Sequence, residues 1–330
     1  MSPVPRVTSQ DVARRAGVSQ STVSIVLSGK APGRISEATA VAVRRAAEEL
    51  GYRPNVAART LRTGRTGAVG LVVPDVTNPF FGGLLRGAQT AARGHGLTVA
   101  LVDAANDPEL GRSGVEALRS AAVDGYLAFE VRDEALASVD EPVVAIEAWE
   151  GAAPRVRLDV ERGIEATLGH LLELGHRRLG HLASAIDVPT FRVREERAGA
   201  ELAAAGHDPA DVVRVRSRFT LEDARKAGHE LLDAGPSAVF CDDDVLAAGL
   251  HLAARERGLA VPEDLSITGF DDLDLARVLD LTTVAVDPKR LGRTAIEVLA
   301  RLMEGGRVAE ETVVPVELVV RGSTGPPPRG

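Results

Sequence analysis

Eight short apolar runs, each followed by a stretch of helical spacing, constrain the greater part of this chain more than any other feature. The first four are GAVGLVVP at 67–74, LTVALVDA at 97–104, DGYLAFEV at 124–131 and EPVVAIEA at 141–148. A second four follow: RRLGHLAS at 177–184, DVVRVRS at 211–217, SAVFCDD at 237–243 and LSITGFDD at 265–272. Ala/Leu-rich amphipathic stretches lie near 80–95 and 108–121, then near 160–174, 192–205, 221–234 and 244–257. Strands that are apolar on both faces need cover on both faces, which is the condition of a parallel sheet wrapped by helices. The two series therefore predict an α/β body of two doubly wound parallel-sheet halves. Ligands of such sheets sit beyond the carboxyl ends of the strands, so candidate binding residues are sought just after each run.

Ahead of this body, residues 7–62 follow a different pattern. Thr8 and Asp11, then Ser19 and Thr22, stand at helix-opening positions on either side of the tight break Ala16-Gly17-Val18. Two short helices joined by such a turn form a helix-turn-helix, whose second helix enters the major groove of DNA. Val12, Val18, Val23, Val26 and Leu27 supply its core, and a third helix opened by Ser36 and closed at Gly51 supports it through Ala40, Val43, Ala47 and Leu50. Charge divides the chain at the same place. Residues 1–66 carry eleven Lys or Arg against four acids, a net +7, leaving 28 basic and 43 acidic residues, a net −15, for the rest. A phosphate backbone attracts the first part and repels the second, so only the head is expected on DNA.

Several function classes are disfavoured. The start, MSPVPRVTSQ, has no apolar stretch of the secretion-signal kind, and no run approaches the ~20 apolar residues of a membrane span. With a single cysteine, Cys241, a disulfide framework is ruled out, and a cytoplasmic, membrane-free setting is expected. No nucleophile elbow, dinucleotide fingerprint, phosphate loop or zinc set is found, so neither an enzyme nor a cofactor is expected. The triplet Asp242-Asp243-Asp244 invites a metal, but three consecutive residues opening a helix cannot all face one ion, and Asp is a favoured N-cap. His176 and His181 straddle a helix end and a strand and are read as structural. A free sugar-uptake protein explains the body but not the basic head.

Four landmarks resemble one family over nearly the whole length: VTSQDVARRAGVSQSTVSIVLSG, ELGYRPNVAARTLRTGRTGAVGLVVPD, TNPFF at 77–81 and VPEDLSITGFDD at 261–272. The chain is similar to bacterial transcription regulators of the lactose-repressor/galactose-repressor family. That resemblance implies a helix-turn-helix domain at 1–53, a hinge helix and linker at 54–66, and a periplasmic-binding-protein-like body at 67–324. It puts the N-subdomain at about 67–157 and 288–316 and the C-subdomain at about 158–287 and 317–324, with crossings near 157–160, 284–287 and 315–319. Residues 325–330 are expected to form a disordered tail.

The resemblance also implies a homodimer on a pseudo-palindromic double-stranded DNA operator. Gln20 and Ser21 are expected at base edges, and Ile25 stands where relatives carry a basic or imidazole side chain, so it is suited to a thymine methyl instead. Thr22 and Ser24 are assigned to phosphates; Thr8 and Ser19 serve as caps, as phosphate contacts, or as both. In the hinge, Ala58 and Leu61 are assigned to the minor groove with Asn55 and Arg59 beside them, the paired leucines wedging a central CpG step. At about eight residues this helix is too short to stand alone and is expected to order on DNA. The effector pocket implied is Asn78, Phe80, Phe81, Arg197, Phe219, Asp243 and Asp271, with Glu147, Trp149 and Asp159 at the rim. The three phenylalanines either stack on the ligand or are plain core. Position 243 is commonly Asn in relatives, and Phe191 replaces a polar group, so a more acidic pocket for a sugar, polyol, nucleobase-like or cationic molecule is expected.

Overall fold

The computed structural model describes residues 7–27, 31, 33–52, 64–129, 139–151 and 153–328. The chain divides into two compact units, Met1–Thr66 and Gly67–Gly330.

The first unit is helical: α1 (Ser9–Ala16), α2 (Gln20–Leu27) and α3 (Glu37–Glu49). Thr8 and Asp11 cap α1 reciprocally, Thr8 taking the Asp11 N–H and the Asp11 carboxylate taking the Thr8 N–H at 2.9 Å. At the break, Gly17 adopts φ 67°, a left-handed conformation that glycine takes without strain. Ser19 then caps α2 by accepting the Thr22 N–H. Val12, Val23, Val26, Ala40 and Val43 are buried together, with Val18 and Leu27 packed on them. The hinge assignments Asn55, Ala58, Arg59 and Leu61 lie outside the described residues.

The second unit holds two six-stranded sheets. In the first, β1 (Ala68–Val73), β2 (Thr98–Asp103), β3 (Tyr126–Phe129), β4 (Val143–Ile146), β5 (Arg155–Leu158) and β11 (Glu311–Val314) are ordered β11-β5-β4-β3-β1-β2, all parallel. The second orders β6 (Leu179–Ser184), β7 (Val213–Ser217), β8 (Ala238–Cys241), β9 (Ser266–Asp271), β10 (Thr282–Ala285) and β12 (Glu317–Val319) as β12-β10-β9-β8-β6-β7, with only the β10–β12 pair antiparallel. Eight of these strands fall inside the eight apolar runs. The others, β5, β10, β11 and β12, are three or four residues long and interrupted by Arg, Thr or Glu, so no continuous apolar run marks them.

Helices cover the sheets: α4 (Pro79–Gly94) and α5 (Pro108–Ser120) on the first, with α6 (Val160–Glu173), α7 (Pro189–Ala204), α8 (Leu221–Asp233), α9 (Asp244–Glu256) and short α10 (Asp274–Val278) on the second. A further helix absent from the sequence reading, α11 (Pro288–Met303), returns to the first sheet and packs on α4. The two approach so closely that a Cβ on Gly87 would meet the Lys289 carbonyl oxygen at 2.0 Å, which is why glycine stands there. The chain thus passes between sheets three times: after Leu158, after Ala285 and between Val314 and Glu317.

The Pro/Gly-rich end corrects the expectation of a disordered tail. As far as Gly325 it lies on the second sheet, with Ser323 buried, its Oγ donating to the Ile267 carbonyl and accepting the Thr282 N–H at 2.8 Å, and the Gly325 N–H donating to Ser266 Oγ at 3.0 Å. His176, fully buried, donates from Nε2 to the Gly325 carbonyl at 2.8 Å. Composition alone suggested disorder, but hydroxyls and carbonyls that find partners offset the ordering entropy, which proline has already reduced.

Candidate functional site

On α2, Val23 and Val26 turn inward, leaving Gln20, Ser21 and Ser24 exposed. Thr22 and Ile25 are half-buried between them. The Ser19 hydroxyl bonds both Ser21 Oγ and Thr22 Oγ1, and Gln20 Nε2 donates to Ser9 Oγ at 2.8 Å. So Ser19 is a cap, and the polar row 20, 21, 24 forms an outward surface of the kind a groove-reading helix presents. Arg14, Arg15, Arg44 and Arg45 add positive charge to the same unit.

In the second unit the strand order reverses between β1 and β3 in one sheet and between β6 and β8 in the other. Crevices open at such reversals. Residues following those strands line a cavity of about 1300 Å³. From the first sheet come Asn78, Phe80, Phe81, Phe129 and Glu147; from the second come Thr190, Phe191, Arg194, Phe219, Asp242, Asp243 and Asp271. Asn78 caps α4 through the Phe80 N–H (2.9 Å), and Pro79 fits the first helical turn. This turn drives Phe80 and Phe81 against Phe129 in edge-to-face contacts with centroids 4.9 to 5.8 Å apart. They are at once core and cavity wall. Opposite them, Phe191 and Phe219 pack at 5.6 Å.

The arginine is not the expected one. Arg197 does not line the cavity; it pairs with Glu201 and Glu165 on the outer face of α7 and is 37% exposed. Thr190, Arg194, Ala198 and Leu202, four residues apart, form the buried face, so Arg194 enters the cleft. Its guanidinium lies 3.7 Å from the Phe270 ring centroid and 5.2 Å from that of Phe191, and Nη1 donates to the Asp242 carbonyl at 2.9 Å. Its Nε is buried with no hydrogen-bond partner among the described residues. Helical periodicity was the signal: position 197 sits off the stripe 190, 194, 198, 202. Of the rim residues, Glu147 lines the cavity, whereas Asp159 caps α6 and Trp149 packs beside the core.

Each aspartate of the triplet has its own partners. Asp242 accepts from His181 Nε2 at 3.0 Å and from the Ser184 N–H at 2.8 Å; burial acts to raise its pKa, but these bonds and the Arg194 charge outweigh it and hold the carboxyl below the ordinary value. Arg214 donates to His181 Nδ1, so the imidazole proton is on Nε2. Asp244 accepts from the Leu273 N–H and Thr283 Oγ1, with burial raising its pKa to about 7. Asp243 caps α9 through the Val245 N–H and shares a hydrogen bond with Asp271. Burial raises both carboxyls of that pair, and the neighbouring Asp271 charge raises Asp243 further. Two buried carboxyls in contact cannot both ionise cheaply, so the pair holds a proton that isolated aspartates would have lost. Glu147, also buried, is raised to about 7 by desolvation, against the opposing pull of the Leu158 N–H and Arg194.

The arrangement suits a polar ligand with apolar faces: rings on two sides, an arginine donor, and a carboxyl pair that both accepts and donates. Among the described residues no group of three His, Cys, Asp or Glu is placed to hold a metal, and no helix is long and apolar enough to cross a membrane.

Residues 8–55 match the profile of the lacI family of bacterial regulatory proteins, and residues 168–324 match that of periplasmic binding protein-like domains. The HTH-type transcriptional repressor CytR of Escherichia coli K12 is 34% identical, with 96% of each chain covered. The HTH-type transcriptional regulator DegA of Bacillus subtilis is 35% identical over 97% of this chain and 99% of its own. Among solved structures, the lac repressor dimer bound to operator and the anti-inducer ONPF matches 97% of this chain and 100% of its own, with a TM-score of 0.84 at 25% identity. The regulator CelR in complex with cellobiose covers 96% of this chain and 100% of its own, at 0.71 and 28%. A helical head of this kind, a body of two wound sheets and whole-length similarity at this level agree with one another, and the chain belongs to the lacI family of bacterial regulatory proteins.

Proposed function

We propose that the protein is a cytoplasmic transcriptional repressor that grips a pseudo-palindromic operator as a homodimer and changes its grip when a small molecule fills the cleft. The cleft carries this reading. It joins the switch points of two sheets and gathers Arg194, Asp243 and Asp271 between aromatic walls, an arrangement for holding a sugar-like or nucleoside-like molecule rather than for turning one over. The relatives support it: CytR and the lac repressor are repressors by name, the latter solved as a dimer on its operator, and the regulator CelR was solved with cellobiose. On the DNA side, Gln20 and Ser21 read base edges, Ile25 packs on a thymine methyl, and Thr8, Ser19, Thr22 and Ser24 set the register on phosphates. In the hinge, Ala58 and Leu61 then enter the minor groove, with Asn55 and Arg59 beside them.

The test has two arms. A mobility shift with fragments of the source genome compares the full chain with one lacking residues 1–62, which should lose all specific shifts. A thermal-shift screen of sugars, polyols, nucleobases and nucleosides identifies the effector, since a ligand at 100 times its Kd adds ~2.7 kcal/mol. The mobility shift, repeated with the hit, then reads whether the ligand releases or tightens the operator. A full chain that shifts no fragment with or without any hit would refute the reading.

A further inference from the structure

At the end of β9 two consecutive non-glycine residues adopt left-handed backbone, Asp271 with φ 107° and Asp272 with φ 54°. L-residues rarely hold such angles unless their surroundings over-determine them, and such sites cluster where a side chain must be aimed. Here the turn aims the Asp271 carboxyl at that of Asp243 in the cleft.

Two clamps hold it. On one side is Asp244, the first residue of α9, whose carboxylate takes the Leu273 N–H at 2.7 Å and the Thr283 hydroxyl at 2.6 Å. Gly269 leaves room for that carboxylate, since a Cβ there would stand 2.2 Å from Asp244 Oδ1. On the other side is Arg321, just past β12. Its Nη2 donates to Asp272 Oδ1 at 2.6 Å, its Nη1 to the Leu281 carbonyl at 2.8 Å, and its backbone N–H to Thr282 Oγ1 at 2.9 Å. The ion pair is sheltered, the side chains being 17% and 14% exposed, whereas the second cation near Asp272, Arg277, is farther at 3.7 Å and 66% exposed.

We infer that Arg321 is a positioning residue of the effector site: through Asp272 it holds the left-handed turn that sets the Asp271 carboxyl against Asp243. A residue that touches no ligand thereby shapes the ligand contact. The C-terminal segment becomes part of the pocket's machinery, and the effector carboxyl is tied to the strand on which the chain makes its third passage between sheets. The functional meaning rests on the reading of Asp271 as an effector contact; the positioning itself does not, and it is tested without ligand.

The experiment is a double-mutant cycle on the full chain, read as melting temperature between about pH 5 and pH 8. In the parent, Asp271→Asn removes one carboxyl of the proton-sharing pair, so its benefit grows as pH rises. In the Arg321→Ala background the turn is released, the carboxyls separate, and most of that pH dependence is lost, while Arg321→Lys keeps part of it. Asp272→Asn, which preserves the side-chain volume, serves as the second background should Arg321→Ala not fold, with the same loss expected. If Arg321 merely stabilises the fold, melting falls at every pH but the Asp271→Asn effect keeps its full pH dependence in both backgrounds, which overturns the inference. A parent in which Asp271→Asn has no pH-dependent effect also overturns it, since the carboxyls are then not held together. A screened effector whose affinity ignores Asp271 defeats the ligand reading alone.

Discussion

Glu147→Gln isolates a buried charge within this protein. The carboxyl follows β4 and is 2% exposed; Oε1 accepts the Leu158 N–H at the first passage between sheets, and Oε2 lies 3.4 Å from the Thr190 hydroxyl on α7. Desolvation lifts it from 4.5 to about 7. The folded chain therefore keeps a proton that the unfolded chain releases, so the stabilisation is complete below about pH 4.5 and is lost as pH rises through about 7. At about 1.4 kcal/mol per pH unit, that displacement is worth about 3 kcal/mol. Glutamine keeps the acceptor for Leu158 and gains a donor for Thr190 without any charge to desolvate. The variant should match the parent near pH 4 and exceed it by about 3 kcal/mol at pH 8 to 9, roughly 6–12 °C in melting temperature for a body of this size. Scanning calorimetry of both chains across that range is the assay. The raised carboxyls of Asp243, Asp244 and Asp271 are common to both, so their effect cancels in the difference. Parallel stability curves, with a gap that does not change with pH, would refute a buried proton on Glu147.

Three further outcomes follow from named contacts. Arg194→Met should abolish the response to the screened effector with a loss of ~1.5 to 3 kcal/mol or more per charged hydrogen bond, while Arg197→Ala, outside the cavity, leaves calorimetric affinity unchanged; the reverse pattern would restore the original assignment. Ser323→Ala removes two buried hydrogen bonds and should lower stability by ~1–3 kcal/mol, read as a urea midpoint, and an unshifted midpoint would mean the end of the chain contributes nothing. Leu61→Ala should weaken and straighten the operator complex yet spare salt-sensitive nonspecific binding, and footprints equal to the parent's would remove the hinge wedge.

The elements were legible because their causes are local. Residues 67–74 are apolar without alternation, and β1 is buried along nearly its whole length there. Thr8, Asp11, Gly17 and Ser19 announce the helix ends through bonds that span at most four residues. The sign of the charge at each end needs no coordinates either. What was missed differs in kind: β5, β10, β11 and β12 carry Arg, Thr or Glu where most of the other strands run apolar, whereas α11 has an ordinary helix start, Asp287 as its cap and Pro288 in the first turn, that the apolar runs alone did not draw out.

The site itself was decided by tertiary structure. Arg194 and Arg197 lie on different faces of α7, a separation that helical spacing records, but which of the two faces is buried is set by the neighbours of that helix, Phe270 on one side and Glu165 on the other. Asp243 and Asp271 stand 28 positions apart, and they meet because two parallel strands, β8 and β9, run side by side, so that burial raises both carboxyls together. Arg321 reaches Asp272 across 49 positions. Periodicity and capping act over a few residues and are written in the local chain, whereas desolvation and charge pairing depend on what packing brings within a few ångströms, which no local pattern records.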